Sequence, residues 1–133
     1  MVFGHGQRGV ARSCRCTTAL IIVLWLAGCG ELVPAQQRVA GADPQAGRVA
    51  VTRVACGICH VIPGVPGAEG IVGPSLEGFA QRQLIGGIAP NQPALLAQWV
   101  RNAPSIAPDT GMPELPLTDA QARDVAAYLY TLR

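Results

Sequence analysis

The stretch Cys56-Gly57-Ile58-Cys59-His60 decides the fold of this chain, because it is a C-x-x-C-H sequence. Two thiols at this spacing lie on one turn of chain, where both can add to the vinyl groups of one protoporphyrin. The two thioether bonds then place the next side chain, His60, beneath the iron as the proximal ligand. The pentapeptide therefore predicts one covalently attached haem c, bound through Cys56 and Cys59.

Three other chemistries use paired cysteines, and the surrounding sequence fits them less well. A thioredoxin-like redox pair needs a βαβ context with strands rich in Val, Ile and aromatic residues. This motif instead follows an Arg- and Ala-rich segment and precedes a Gly/Pro-rich one. Structural zinc needs four ligands, and Cys29 has a better explanation, given below. A disulfide between Cys56 and Cys59 would close too small a loop to stabilise the fold much.

The N-terminus has the features of a secretory signal peptide. Residues 1–16 carry three arginines and no acidic residue, and residues 17–27 are almost wholly apolar. The apolar run is shorter than the roughly 20 residues that a membrane-spanning helix needs. We therefore predict that the protein is exported and that residues 1–28 are removed. Export also agrees with the attachment of c-type haem, which takes place outside the cytoplasm in bacteria.

The leader ends in Leu26-Ala27-Gly28-Cys29, which resembles the lipobox of bacterial lipoproteins. In that family the cysteine is acylated and becomes the mature N-terminus. The resemblance implies lipidation at Cys29 and anchoring at the periplasmic face of a bacterial membrane. The alternative is ordinary cleavage after Val33-Pro34-Ala35, which would discard Cys29. Residues 29–42 contain few bulky groups, and we expect a flexible tether there.

The charge of the mature chain narrows the choice of partners. From Cys29 to Arg133 there are seven arginines, no lysine and eight acidic residues, which give a net charge of −1. Nucleic-acid binding needs clustered basic charge, so we expect no nucleic-acid partner. Steering onto an acidic partner by a ring of lysines is equally unsupported. A lipid anchor would instead hold the protein beside membrane partners at high effective concentration.

Three helix signals lie downstream of the tether. Asp43-Pro44 is a good N-cap and first-turn pair for a helix that runs to about Val54. Asn91 is expected to cap a second helix, whose apolar residues share one face. Thr118 and the glutamine three positions later form a capping box, which opens a last helix with apolar residues at helical spacing. These signals predict an all-α domain.

Two Gly/Pro-rich stretches separate these helices, at residues 63–74 and 103–116. Their prolines exclude regular helix and central strand. Loops of this length in a small domain usually have a functional reason, and enclosing a haem is one.

The segment from about Asp43 to Arg133 resembles a class I cytochrome c. It is similar in particular to the cytochrome c domains fused to, or associated with, bacterial haem-copper oxidases. The resemblance implies a small cytochrome c fold with helices wrapped around one covalently bound haem, in a domain of residues 43–133. The segments that carry it, besides the C-x-x-C-H motif, are Gly73-Pro74-Ser75-Leu76, the tryptophan helix 96–101, Met112-Pro113 and the C-terminal helix 124–129.

The family pattern implies a role for several further residues. The carbonyl of Pro74 would accept a hydrogen bond from His60, which fixes the imidazole and raises its basicity. Arg82 would face a haem propionate, and Trp99 would donate its indole N–H to a propionate. The alternatives are an ordinary loop proline, a solvated arginine and a core tryptophan with a backbone acceptor. Met112 is the only methionine left after the leader is removed, so it is the candidate for the sixth iron ligand.

The chain departs from the family pattern at two points. The turn before the methionine commonly carries Lys-Pro-Gly, whereas this chain has Ala107-Pro108-Asp109, so a docking role of that lysine is absent. The first helix also lacks the usual aromatic residue ahead of the cysteines. Tyr128 of the last helix is expected to pack near Gly47, whose missing side chain permits a close crossing.

The predicted ligands indicate the functional class. With His60 and Met112 on the iron, no coordination position is open to oxygen or substrate, and a thioether raises the potential relative to two histidines. We therefore expect an electron-transfer protein and not an enzyme. It would carry single electrons between redox proteins in a respiratory chain, toward a terminal oxidase. Two alternatives stay open: a haem subunit permanently docked in an oxidase or dehydrogenase complex, and a peroxidase or sensor in which Met112 is displaced.

Overall fold

The computed structural model describes residues 37–133, and α-helix makes up most of the regular structure there. This confirms the all-α prediction. In chain order the helices are α1 Pro44–Arg53, α2 Pro93–Asn102 and α3 Asp119–Leu129. Short 3₁₀ turns lie at Cys56–Ile58, Phe79–Gln81 and Ala103–Ser105. Two short strands, β1 Leu84–Ile85 and β2 Ala89–Pro90, pair antiparallel with Leu84 opposite Pro90 and Ile85 opposite Ala89.

Helix α1 begins where the sequence predicts and delivers the C-x-x-C-H motif. The side chain of Asp43 accepts a hydrogen bond of 2.8 Å from the backbone N–H of Gln45, and Pro44 occupies the first helical position. Just past the other end, Ala55 has a φ of 58°, in the left-handed region. That conformation costs a non-glycine residue about 1 kcal/mol, and it turns the chain so that Cys56 starts the next 3₁₀ turn.

Helices α1 and α3 cross at Gly47, as the family resemblance implies. A Cβ at Gly47 would overlap the backbone carbonyl of Asp124 and lie 2.9 Å from the Cβ of Tyr128. The backbone N–H of Asp43 also donates to Oδ1 of Asp124 at 2.9 Å. Only a residue without a side chain permits this approach, and it brings the helix before the motif onto the C-terminal helix.

The start of α2 differs from the prediction. Gln92, and not Asn91, occupies the N-cap position, and its side chain makes no capping hydrogen bond. The predicted cap at Asn91 is therefore wrong. Pro93 at the first helical position has no N–H to satisfy and a φ suited to helix, so the helix start depends less on a side-chain cap. The amide of Asn91 bonds elsewhere, as described below.

Helix α3 begins with the predicted capping box. The side chain of Thr118 accepts from the N–H of Gln121 at 3.3 Å, and the side chain of Gln121 accepts from the N–H of Thr118 at 3.0 Å. The apolar residues that recur at helical spacing along this last segment are all buried: Ala122, Val125, Ala126, Leu129 and Leu132. They pack in one core with Val51 of α1 and Leu96 of α2.

Part of the segment assigned to the tether touches the domain. The side-chain amide of Gln37 donates to the carbonyl oxygen of Ala80, and Val39 packs against the core. Contacts with the domain therefore begin before residue 43. The predicted signal peptide, residues 1–28, and Cys29 lie outside the described residues. Between residues 37 and 133, none of the helices is long and apolar enough to cross a membrane.

Tyr130 gives the fold a predictable response to alkaline pH. Burial raises its pKa to about 12, from an ordinary value of 10.0. Between these values the unfolded chain binds fewer protons than the folded one, so stability that is full below about pH 10 declines as the pH rises toward about 12. Tyr130→Phe should reduce this alkaline loss of stability. At neutral pH the same variant loses the hydrogen bond to Asn91, which should lower the free energy of unfolding by about 1 kcal/mol. Denaturant unfolding of both proteins across this range checks the prediction. An equal alkaline loss in both would contradict it.

Candidate haem site

The helices and the long loops enclose a mostly apolar cavity of about 580 Å³. Ligand pockets usually measure about 300–1,000 Å³, so this volume suits a cofactor. The apolar walls come from all three helices and from β1: Val51, Leu84, Ile85, Leu96, Trp99, Val100, Val125 and Leu129. The cavity can therefore exclude water from a large apolar group.

The reactive side chains of the C-x-x-C-H motif lie on one wall of this cavity. Cys56, Cys59 and His60 all line it. The turn is tight, since the N–H of His60 donates to the carbonyl of Cys56 at 3.0 Å. Gly57 packs directly on Ala68, and a Cβ at Gly57 would lie only 2.7 Å from the Cα of Ala68. Backbone contacts thus hold both thiols toward the same space.

The environment of the two cysteines disfavours the alternatives to haem. The structure contains no disulfide between Cys56 and Cys59. Burial raises the pKa of the Cys56 thiol, which opposes the thiolate that a dithiol redox centre uses. Within residues 37–133, no three His, Cys, Asp or Glu side chains are grouped so as to hold a metal ion.

The imidazole of His60 is held in one orientation. Its Nδ1 lies 2.7 Å from the carbonyl oxygen of Pro74. Because a carbonyl oxygen can only accept, Nδ1 carries a proton, and Nε2 is the nitrogen that can bind a metal. The bond between His60 and Pro74 is therefore present in the structure, as the family pattern implies, while the coordination of iron by His60 stays a prediction.

Gly73 supports the same imidazole, and its importance was not anticipated from the sequence. A Cβ at Gly73 would lie 2.6 Å from Nδ1 of His60. The N–H of Gly73 also donates to the carbonyl of Cys59 at 2.8 Å. The ring therefore lies against the backbone at a position that only glycine permits. The signal in the sequence for this contact is the Gly-Pro pair at 73–74.

Met112 lines the cavity that contains His60 and is half-buried. Its loop is attached to the end of α2, because the N–H of Leu115 donates to the carbonyl of Arg101 at 2.8 Å. The N–H of Met112 itself donates to the hydroxyl of Thr110 at 3.3 Å. The predicted sixth ligand and the predicted fifth ligand are thus brought into one cavity by loops distant in sequence.

Trp99 and Arg82 also line the cavity. Trp99 is buried, and its ring packs against Gly86, where a Cβ would lie 2.6 Å from Cη2. Arg82 is bound to protein atoms: its Nη2 donates to the carbonyl of Ser75 and, at 3.2 Å, to that of Glu77. The guanidinium is therefore not simply solvated. Contacts of either residue with a propionate stay predictions.

The donor set fits a haem c. Two thiols match two vinyl groups, an imidazole with its Nδ1 already bonded can offer Nε2, and a thioether lies in the same apolar cavity. A bound haem supplies a one-electron couple between ferric and ferrous iron. Cys56 and Cys59 would attach it, His60 would offer its Nε2 to the iron, and the apolar walls of the cavity would exclude water.

Comparison with known proteins agrees with this site. The family model described as cytochrome c matches residues 45–133, from the first turn of α1 to the C-terminus and through the whole C-x-x-C-H motif. No curated protein matches the chain at a significant level of similarity. The family attaches haem c through cysteines, and Cys56 and Cys59 lie on the wall of the cavity. The chain therefore belongs to the cytochrome c family, as a haem-binding electron carrier with haem c attached through Cys56 and Cys59.

Proposed function

We propose that this protein is a mono-haem carrier in which His60 and Met112 are the axial ligands, and that it is not an enzyme. The observation that supports the proposal most strongly is the shared cavity: it contains both thiols, a histidine whose Nδ1 is bonded to Pro74, and Met112. With both axial positions occupied, the iron changes oxidation state without binding a reactant. We also propose that Arg82 and Trp99, which line the cavity, interact with the propionates.

We further propose that the protein transfers single electrons in a respiratory chain and that a terminal oxidase accepts them. It would lie at the periplasmic face of the membrane, anchored by a lipid on Cys29. The lipobox-like leader supports the anchor, and the net charge of −1 after Cys29, with no lysine, supports tethering over electrostatic steering. Purification from native membranes separates a carrier, which is recovered alone, from a subunit that is recovered inside an oxidase or dehydrogenase complex.

The spectrum of the wild-type protein tests the ligand assignment. We expect a low-spin ferric state with the weak red charge-transfer band of iron–thioether ligation, and a ferrous state that does not bind carbon monoxide readily. Denaturing electrophoresis should retain a haem-stained band, because two thioethers hold the group. A high-spin protein that binds carbon monoxide readily would contradict the carrier proposal and would support a peroxidase or sensor.

Substitution of Cys29 tests the anchor. Cys29→Ser should block processing at that residue and release or misroute the protein, because the lipobox-like sequence then has no thiol to be acylated. The haem spectrum of the folded variant should be unchanged, since the thiols that attach the haem are Cys56 and Cys59 and the proposed axial ligands are His60 and Met112. Membrane fractionation and the mass of the mature N-terminus give the readout. A wild-type protein with an unmodified N-terminus that washes into the soluble periplasmic fraction would refute the lipid anchor.

A further inference from the structure

The side chain of Asn91 holds the segment from Phe79 to Arg82. The Nδ2 of Asn91 donates to the carbonyl oxygens of Phe79 and Arg82, at 3.4 and 2.9 Å, and its Oδ1 accepts from the hydroxyl of Tyr130 at 3.0 Å. The rings of Phe79 and Tyr130 also pack against each other, 6.3 Å apart. A residue close to the C-terminus is thereby connected to the segment that carries Arg82.

Arg82 extends this connection to the loop beneath His60. Its guanidinium donates to the carbonyl of Ser75, the residue after Pro74, and to that of Glu77. The Cζ of Arg82 lies 5.5 Å from the centre of the Phe79 ring. The ring therefore restricts the movement of the guanidinium on that side. Both bonds come from Nη2, one nitrogen of a planar group, so the guanidinium holds the two carbonyls close to each other.

We propose that Tyr130, Asn91 and Arg82 form a relay that positions the carbonyl of Pro74 against Nδ1 of His60. In this relay Asn91 and Tyr130 are positioning residues for the axial histidine, although neither touches it. Arg82 then serves the proximal side of the site, in addition to any contact with a propionate. The inference rests on the proposed function in one respect, since it takes His60 as an iron ligand.

We expect the relay to be sensitive to substitution because Asn91 and Arg82 use their polar atoms in hydrogen bonds to Tyr130 and to backbone carbonyls. Among residues 37–133 there is no fully buried side-chain nitrogen or oxygen without a partner. Removing the hydroxyl of Tyr130 leaves Oδ1 of Asn91 without its donor, and a half-satisfied network rearranges more readily than an intact one. Pro74 itself is exposed, so the bonds to the following residues are a main restraint on its carbonyl.

The effect on the iron has a definite sign. A hydrogen bond from Nδ1 makes the imidazole a stronger donor, which strengthens the iron–histidine bond and favours ferric iron. If the relay is cut and the bond between His60 and Pro74 lengthens, the iron–histidine stretching frequency should fall and the reduction potential should rise.

Resonance Raman spectroscopy of the holoprotein tests the proposal. Met112→Ala provides the background, because ferrous haem bound by His60 alone shows the iron–histidine stretch. On that background, Tyr130→Phe and Arg82→Gln should lower the frequency, and Arg82→Lys should restore part of it. Tyr128→Phe and Arg101→Gln are the matched controls: the hydroxyl of Tyr128 lies near Arg48, and Arg101 pairs with Asp119 on the surface. Neither control should shift the band.

A second measurement avoids the Met112→Ala background, in case the double variants fold poorly. In the otherwise wild-type holoprotein, Tyr130→Phe should raise the reduction potential and speed hydrogen exchange of the Leu76 amide, which donates to Val61 at 2.8 Å. If the band is present but the relay variants leave it and the potential unchanged, the relay is refuted. If no iron–histidine band is found in the background protein, His60 is not the ligand, and the proposed function fails first.

Discussion

Met112→Ala should open the iron, with loss of the red charge-transfer band, binding of cyanide or carbon monoxide, and a lower reduction potential. The physical reason is that no other methionine lies between Cys29 and Arg133, so the ferrous state loses the thioether that favours it. Axial ligation spans about 0.8 V across haem proteins, so a fall on the order of 0.1 V is expected. Optical spectra, ligand titration and electrochemistry measure these changes.

Met112→His is the control for this experiment. A second imidazole should keep the iron low-spin and closed to carbon monoxide, but with a lower potential than the wild type, because imidazole stabilises ferric iron better than a thioether does. The two variants together separate the occupancy of the sixth position from the identity of its ligand. A Met112→Ala protein with the wild-type spectrum and potential would show that another group binds the iron.

Gly47→Ala should cost the fold about 3 kcal/mol or more. In an ordinary helix interior this change would stabilise by roughly 0.5–1 kcal/mol, because glycine has the larger conformational entropy to lose. Here the added methyl group overlaps the backbone carbonyl of Asp124 and approaches the Cβ of Tyr128. Backbone cannot move aside as a flexible side chain does, so α1 and α3 must separate. Thermal and denaturant unfolding of the holoprotein give the readout.

Val49→Ala is the control for the Gly47 variant. Val49 lies on the same helix and is 68% exposed, so this change should alter stability by no more than about 0.5 kcal/mol. If Gly47→Ala is as stable as the wild type, the close crossing does not determine how the two helices pack.

The features that could be predicted from the sequence are those set by neighbouring residues. The N-cap at Asp43 and the capping box at Thr118 were both correct, because each bonds to backbone within three residues of itself. The buried face of α3 follows from helical periodicity. The C-x-x-C-H motif likewise contains its two thiols and its imidazole within five residues, so the cofactor followed from it directly. The crossing at Gly47 was anticipated through the family resemblance.

Contacts between distant segments had to come from the tertiary structure. A cap at Asn91 was a sound local expectation, yet its amide bonds to Phe79, Arg82 and Tyr130, residues between 9 and 39 positions away. The contact of Gly73 with the His60 ring also joins two segments that are separate in the sequence, and only the folded chain shows it. A side-chain amide satisfies its donors and acceptor wherever the folded chain offers partners, and burial makes an unmade bond costly. The competition between a local cap and a long-range network is therefore decided only once the chain has folded.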